Sequence, residues 1–230
     1  MPDETEPGIV ALHLKRYDFA LPWCRDRDVL DAGCGVGYGT AHLARVARRV
    51  VGVDRAEDAI SYARSRYAEP NVEFRVADLL ALELEDGSFD VVCAFEAIEH
   101  LSDPDAFLGE AARVLRPGGV LVVSTPNAHE TTHSPANPFH EVELSAGDFE
   151  RLLRARFAEV DVYGQRRLQT ARHRLLQRLD VLGLRRQLTF LRPASRLLGT
   201  PPMAEVALDG IAIERGRLES ATELVAVCRR

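Results

Sequence analysis

The segment FEAIEHLSDPD, Phe95 to Asp105, follows an apolar run, DVVCAF, that reads as a buried strand, and it sets Glu96, Glu99 and His100 within five residues at the strand's mouth. Within one turn of chain these three side chains can converge on one point. An imidazole in such a place can serve as a general base, because its ordinary titration falls near neutral pH. The plainer alternative is that His100 packs or caps a helix while the glutamates are solvated. A second imidazole, His140, lies in NPFHEVELSAGDFERLL, on a loop after the fifth strand candidate, and could act in the same way.

The elements that would position these groups follow from hydrophobic pattern. Apolar, β-branched runs alternate with amphipathic stretches: DVLDAG, GTAHLARVARR, VVGVD, AEDAISYARSRYA, VEFRVAD, FDVVCAF, PDAFLGEAARVL and GVLVVSTP. This alternation predicts βαβ units and a parallel sheet, hence an α/β fold. SAGDFERLLRARF has helical spacing after an N-capping Ser145, and it leads into the strand candidate FAEVDVYG. TELVAVC, Thr222 to Cys228, is the last strand candidate. Between them the pattern is Leu- and Arg-rich, with Pro193, Pro201 and Pro202. It predicts a basic helical insertion over 166–214, set into a main domain of 1–165 and 215–230.

Bulk properties narrow the class. A chain of 230 residues with 46% hydrophobic composition suits one domain with a modest addition. No charged-then-apolar leader and no run of about 18 apolar residues is present, so the expectation is a soluble, cytoplasmic protein without a transmembrane segment. Cys24, Cys34, Cys93 and Cys228 are scattered without a C-x-x-C pair, which predicts core packing and neither disulfides nor a cysteine zinc site. The net charge is −6, yet Arg166 to Arg196 holds nine arginines against one acid, Asp180, so that segment carries +8 and the remainder −14.

VLDAGCGVGYG sits where the first strand hands over to the first helix of the sheet. Gly33, Gly35 and Gly37 permit a sharp turn and close approach to a ligand near a helix N-terminus. A dinucleotide fingerprint requires G-x-G-x-x-G/A. Starting at Gly33 its last position is Tyr38, at Gly35 it is Thr40 and at Gly37 it is His42, so the nicotinamide reading fails. Asp31 ends the strand, where a carboxylate can face a cationic ligand. Asp54 ends VVGVD, where it can accept both hydrogens of a ribose diol. Asp78 ends VEFRVAD, placed to accept from an adenine amino group with Leu79 beside the ring.

With these motifs in hand, the chain resembles the class I S-adenosylmethionine-dependent methyltransferases. VLDAGCGVGYG, VVGVD, VADLLALELEDGSFDVVCAFEAIEHL and RVLRPGGVLVVSTPN carry the resemblance over about residues 10–165 and the final strand. It implies a Rossmann-like seven-stranded, mostly parallel sheet with an antiparallel terminal hairpin. It also implies a cofactor site among Asp31, Gly33, Cys34, Gly35, Gly37, Asp54, Arg55, Asp78, Leu79, Phe95 and Glu96. An N-terminal helix in HLKRYDFALPW would bring Arg16 and Tyr17 near the cofactor carboxylate; the alternative is an ordinary amphipathic helix on the sheet.

The E-x-x-E-H pattern further resembles ubiquinone-pathway O-methyltransferases and methyltransferases of the 3′-terminal ribose of small RNAs. That resemblance implies a divalent metal, Mg²⁺, Mn²⁺ or Zn²⁺, on Glu96, Glu99 and His100, with His140 as fourth ligand. A bound cation would lower the pKa of an acceptor hydroxyl, leaving Glu99, His100 and His140 as the catalytic set. The closing pattern is similar to methyltransferases of polysaccharide and glycosylated natural-product pathways, which favours a small-molecule acceptor hydroxyl on a sugar, glycoside or catechol. RNA 2′-O-methylation, small-molecule N-methylation and a non-catalytic regulatory role stay open. Nucleic acid is disfavoured by the acidic charge and by a basic segment whose sole aromatic residue is Phe190. The insertion is compatible with a structural cap, a homodimer surface, an anionic-substrate site or a peripheral membrane contact.

Overall fold

A computed structural model describes residues 7–168, 207–216 and 218–230. Its sheet contains β1 (Asp28–Ala32), β2 (Arg49–Asp54), β3 (Val72–Val76), β4 (Phe89–Phe95), β5 (Leu115–Pro126), β6 (Glu159–Arg167), β7 (Ile211–Arg215) and β8 (Glu223–Arg229). The spatial order is β3-β2-β1-β4-β5-β8-β6-β7. The first five strands run parallel, β8 is antiparallel to both β5 and β6, and β7 is antiparallel to β6.

The expected α/β sheet is present with eight strands where seven were expected. The additional strand, β7, falls inside the stretch read as a helical insertion. IAIER is too short to declare itself, and it becomes a strand by pairing with Tyr163–Arg167 of β6. The ends of the predicted insertion therefore belong to the sheet. Its expected helices and most of its basic face fall on 169–206, outside the described residues.

Alternation along the strands sorts side chains onto two faces. Val29, Val91 and Cys93 pack with Tyr17, Ala20 and Cys24 of α1 (Pro7–Cys24) and Leu43 of α2 (Tyr38–Ala44). The intervening Leu30, Val92 and Ala94 pack with Phe107, Leu108 and Ala111 of α4 (Pro104–Val114) and Phe149 and Leu153 of α5 (Ala146–Arg154). Covered on both sides, these strands can be apolar throughout, which is why they read as continuous hydrophobic runs. The remaining α-helix, α3 (Glu57–Arg66), sets Ile60 and Ala63 against Phe74 of β3. All four cysteines are buried and free. Among the described residues no helix is long and apolar enough to cross a membrane.

Local chemistry fixes the helix starts near the site. Asp103 accepts a hydrogen bond from the Ala106 N–H at 3.0 Å ahead of Pro104, and Ser145 accepts one from the Asp148 N–H at 3.3 Å. At Gly39 the helix α2 must come so close to Tyr17 that an added Cβ would sit 1.9 Å from the ring. Gly39→Ala is therefore expected to cost about 3 kcal/mol and lower the thermal midpoint by roughly 6–12 °C, read by calorimetry. A variant melting within a degree of wild type would contradict this packing.

β1 and β4 are sheet neighbours, yet the chain winds away from them in opposite directions. A crevice must open at their C-terminal ends, where open α/β sheets bind ligands. The turns after β1, β2, β3 and β4 all meet there.

Candidate active site

The crevice is a cavity of about 600 Å³. Its wall takes Gly33 and Gly35 from the turn after β1, Asp54 and Arg55 from the end of β2 and the residue after it, and Asp78, Leu79 and Leu80 from the turn after β3. Glu96, Ala97, His100, Leu101, Ser102 and Glu141 complete it. Gly33 has φ +80°, and a Cβ there would lie 2.9 Å from the Ala97 Cβ, so the turn can approach the end of β4 only as glycine. Asp54 ties this turn to the next: its Oδ2 accepts from the Gly35 N–H at 2.8 Å and its Oδ1 from the Ala56 N–H at 2.9 Å. Farther back, Arg113 of α4 donates to the carbonyls of Leu82 and Leu84, which steadies the segment that begins at Asp78.

Beyond the cavity, Glu99, His100 and His140 bring one potential ligand atom each to within 4.8 Å of one another. Glu99 and His100 belong to a single 3₁₀ turn, Ile98–His100, and His140 comes from the loop before α5. That loop is docked on the turn: the Glu141 and Val142 N–H groups donate to the Glu99 carbonyl at 2.7 and 3.3 Å. The two imidazoles meet edge to face, with centroids 4.8 Å apart. His100 Nδ1 lies 2.7 Å from the Phe139 carbonyl, which can only accept, so Nδ1 carries a hydrogen and any lone pair of the ring is on Nε2. His140 Nδ1 faces the Glu143 carboxylate at 2.8 Å, and its Nε2 accepts from the Asn137 amide at 2.8 Å. Glu99 is only 1% exposed and accepts from the Thr125 hydroxyl at 3.3 Å. Burial, reinforced by the charge of Glu96, pushes its carboxyl up to about 9.

Residues 30–123 match the family described as a methyltransferase domain. A probable S-adenosylmethionine-dependent methyltransferase of Mycolicibacterium smegmatis is 48% identical over 141 residues, 60% of this chain and 54% of that protein. A ubiquinone biosynthesis O-methyltransferase of Xanthomonas campestris is 37% identical over 133 residues, 54% of each. Among solved structures, a methyltransferase of Thermotoga maritima superposes with a TM-score of 0.66 at 18% identity, covering 99% of this chain and 95% of that one. The sheet thus has the Rossmann-like methyltransferase fold, and residues 30–123 match a methyltransferase domain. The chain spans about half the length of the curated relatives it matches.

For a class I methyltransferase the cofactor is S-adenosylmethionine, and seven of the thirteen residues expected around it line the cavity: Gly33, Gly35, Asp54, Arg55, Asp78, Leu79 and Glu96. The others are placed differently. Asp31 is wholly buried behind the turn, where the Thr40 hydroxyl donates to it at 2.6 Å and the Tyr17 hydroxyl at 3.2 Å. It faces no open site for a cationic ligand, because Tyr17 closes over it. Cys34 is buried under α3, with Ile60, Ala63 and Phe74, while Gly37 serves as the N-cap of α2 at φ +84°. Phe95 packs edge-on against Tyr17, centroids 4.8 Å apart.

Arg16 is 1% exposed and reaches the Gln165 side chain at 3.4 Å and Glu96 at 3.8 Å. Glu96 also departs from expectation. It sits at φ +52°, exchanges hydrogen bonds with Ser124 and faces Arg16, so it stands apart from the ligand group formed by Glu99, His100 and His140. The strain of a non-glycine residue at positive φ turns the chain sharply after β4.

Asp31 thus has a structural duty with a measurable signature. Burial pushes Asp31 up to about 7 against the opposing hydrogen bonds from Thr40 and Tyr17. A carboxyl raised above its unfolded value contributes stability that is full near pH 4 and is lost as pH rises through its folded value. Asp31→Asn should remove that slope. Between pH 5 and pH 8 wild type should lose on the order of 2–3 kcal/mol relative to the variant. Denaturant melts of both proteins across this range test it, and parallel pH profiles would contradict it.

Several site residues carry no sequence signal. Glu223 arrives from the last strand because β8 inserts beside β5, opposite Pro126, and burial, reinforced by the charge of Glu96, pushes its carboxyl up to about 8. His13, on α1, is pushed down to about 4 by burial and then by Arg16, so it stands neutral beside Glu96. Leu80, Ala97, Leu101, Ser102 and Glu141 reach the cavity wall only through the folding of their turns.

Proposed function

We propose that the chain transfers a methyl group from S-adenosylmethionine to a hydroxyl of a small-molecule acceptor, assisted by a divalent cation on Glu99, His100 and His140. The observation that carries this reading is the Glu99–His100–His140 group beside a cavity whose wall includes His100. The O-methyltransferase name of the Xanthomonas relative supports oxygen as the acceptor atom.

The residues fit both groups. Buried Arg16 Nε and Glu223 Oε2 have no hydrogen-bond partner among the described residues, and a zwitterionic amino-acid moiety offers a carboxylate for one and an ammonium for the other. Asp54 and Asp78 line the part of the cavity suited to a ribose diol and a base. For the cation Glu99 offers an oxygen and His100 Nε2 a nitrogen, His140 Nε2 adds a second by giving up the Asn137 amide, and the cation's charge would offset the burial that holds Glu99 protonated.

Bound, the cofactor supplies an electrophilic methyl group, and the cation lowers the pKa of an acceptor hydroxyl. The chain aligns the two. Gly33, Gly35 and Asp54 hold the nucleoside end fixed, while the loop docked on Glu99 keeps His140 facing His100. His100 has one lone pair to give, on Nε2, because Nδ1 donates to the Phe139 carbonyl: that nitrogen would hold the cation, and the proton of the activated hydroxyl would pass to solvent, whereas without a cation the same nitrogen would take the proton itself.

The test is release of S-adenosylhomocysteine with catechols and sugar polyols as acceptors. Turnover should vanish after chelation and return with Mg²⁺ or Mn²⁺. Turnover indifferent to chelator would refute the cation's part, and no turnover with any hydroxyl acceptor would refute the choice of oxygen.

A further inference from the structure

A second cavity, of about 710 Å³, lies between the start of α4, the loop that carries His140 and the outer face of α5. It shares Leu101, Ser102 and Glu141 with the cofactor cavity, so the two meet at the wall beside His100. Its volume is that of a small-molecule site in its own right, far more than a single hydroxyl requires.

What it offers a ligand follows from which side chains are already engaged. Asp103 caps α4, Asp105 is paired with Arg156, and Asp148 accepts from Thr131 and Ser145 and pairs with Arg151. The surface left over is an apolar floor of Leu101, Val142, Leu144 and Leu152 under an acidic rim. Three aspartates and Glu141 stand against one arginine, itself paired, and the imidazole of His133, a balance that opposes phosphate or sugar-nucleotide ligands.

Resting on the hydroxyl-methylation reading above, we propose that this cavity holds the body of the acceptor. The acceptor is then elongated, carrying its hydroxyl head at Glu99, His100 and His140 and an uncharged apolar extension over Leu101, Leu144 and Leu152. Each methylene seated there is worth about fourfold in affinity.

Calorimetry on the protein loaded with S-adenosylhomocysteine tests this with two pairs of probes, methyl and hexyl glucoside and methyl- and hexylcatechol. Hexyl should bind at least about tenfold more tightly than methyl with one head group or both. Leu152→Trp, which fills the floor from a half-buried position on α5, should abolish that gain while S-adenosylhomocysteine affinity and melting temperature stay unchanged. The smaller Leu152→Phe should reduce the gain partway. No gain from hexyl with either head, or a gain that survives Leu152→Trp, would overturn the proposal. A gain lost in Leu152→Trp, without methylation of any probe, would uphold the cavity and count against the hydroxyl reading instead.

Discussion

Glu99→Gln lowers methyl transfer to hydroxyl acceptors roughly a thousandfold, while S-adenosylhomocysteine binds within about threefold of its usual affinity. Glutamine matches the shape of glutamate, so the Thr125 contact can persist and the Glu99 carbonyl still receives the Glu141 and Val142 N–H groups. The loop bearing His140 therefore keeps its place. What disappears is the anionic oxygen, and with it the charge that would balance a cation beside a carboxyl that is itself 1% exposed. Cofactor affinity is spared because the Glu99 side chain forms no part of the wall of the 600 Å³ cavity. Steady-state kinetics, with titration of Mn²⁺ and of S-adenosylhomocysteine, separate these effects. Turnover within tenfold of wild type would remove Glu99 from the chemistry, and joint loss of cation and cofactor affinity would refute the division of labour.

Asp54→Ala has the opposite signature. Its two carboxylate oxygens hold the Gly35 and Ala56 amides, and the group lines the cavity where a ribose diol would be received. Removing charge-assisted hydrogen bonds of this kind costs about 2–3 kcal/mol, so S-adenosylhomocysteine affinity should fall roughly 30- to 150-fold. Mn²⁺ affinity should change little, because Asp54 lies outside the Glu99–His100–His140 group. Asp54→Asn should recover part of the loss, since an amide oxygen can still accept one backbone hydrogen bond. Unchanged cofactor affinity in Asp54→Ala would place the nucleoside elsewhere.

The fold was legible in the sequence wherever a local signal and a global constraint coincide. Continuous apolar strands, a glycine-rich turn and acids at strand ends together impose a parallel sheet with its site at the switch between β1 and β4. The N-cap Ser145 shows how strongly short-range chemistry is written. What was not legible depends on distant pairing. IAIER is a strand only because β6 lies beside it, and Glu223 enters the site only because β8 runs between β5 and β6.

The site shows the same limit at the scale of single residues. Asp31 stands one residue from the end of β1, Asp54 ends β2 and Asp78 follows β3, yet Tyr17 and Thr40 bury Asp31, and nothing local to DAGCG distinguishes a carboxylate that faces a ligand from one that braces the turn. Glu96 and Glu99, three residues apart, could have shared one point. A positive φ at Glu96 sends its side chain toward Ser124 and Arg16, leaving Glu99 with the histidines. His13 resembles any helical histidine until packing desolvates it.

The most direct test is a crystal grown with S-adenosylhomocysteine and Mn²⁺, read by anomalous scattering at the manganese edge. The account predicts the nucleoside between Gly33, Asp54 and Asp78, and one manganese peak bounded by Glu99, His100 and His140. The cofactor in that cavity with no peak among those three side chains would contradict it, leaving the imidazoles to act alone.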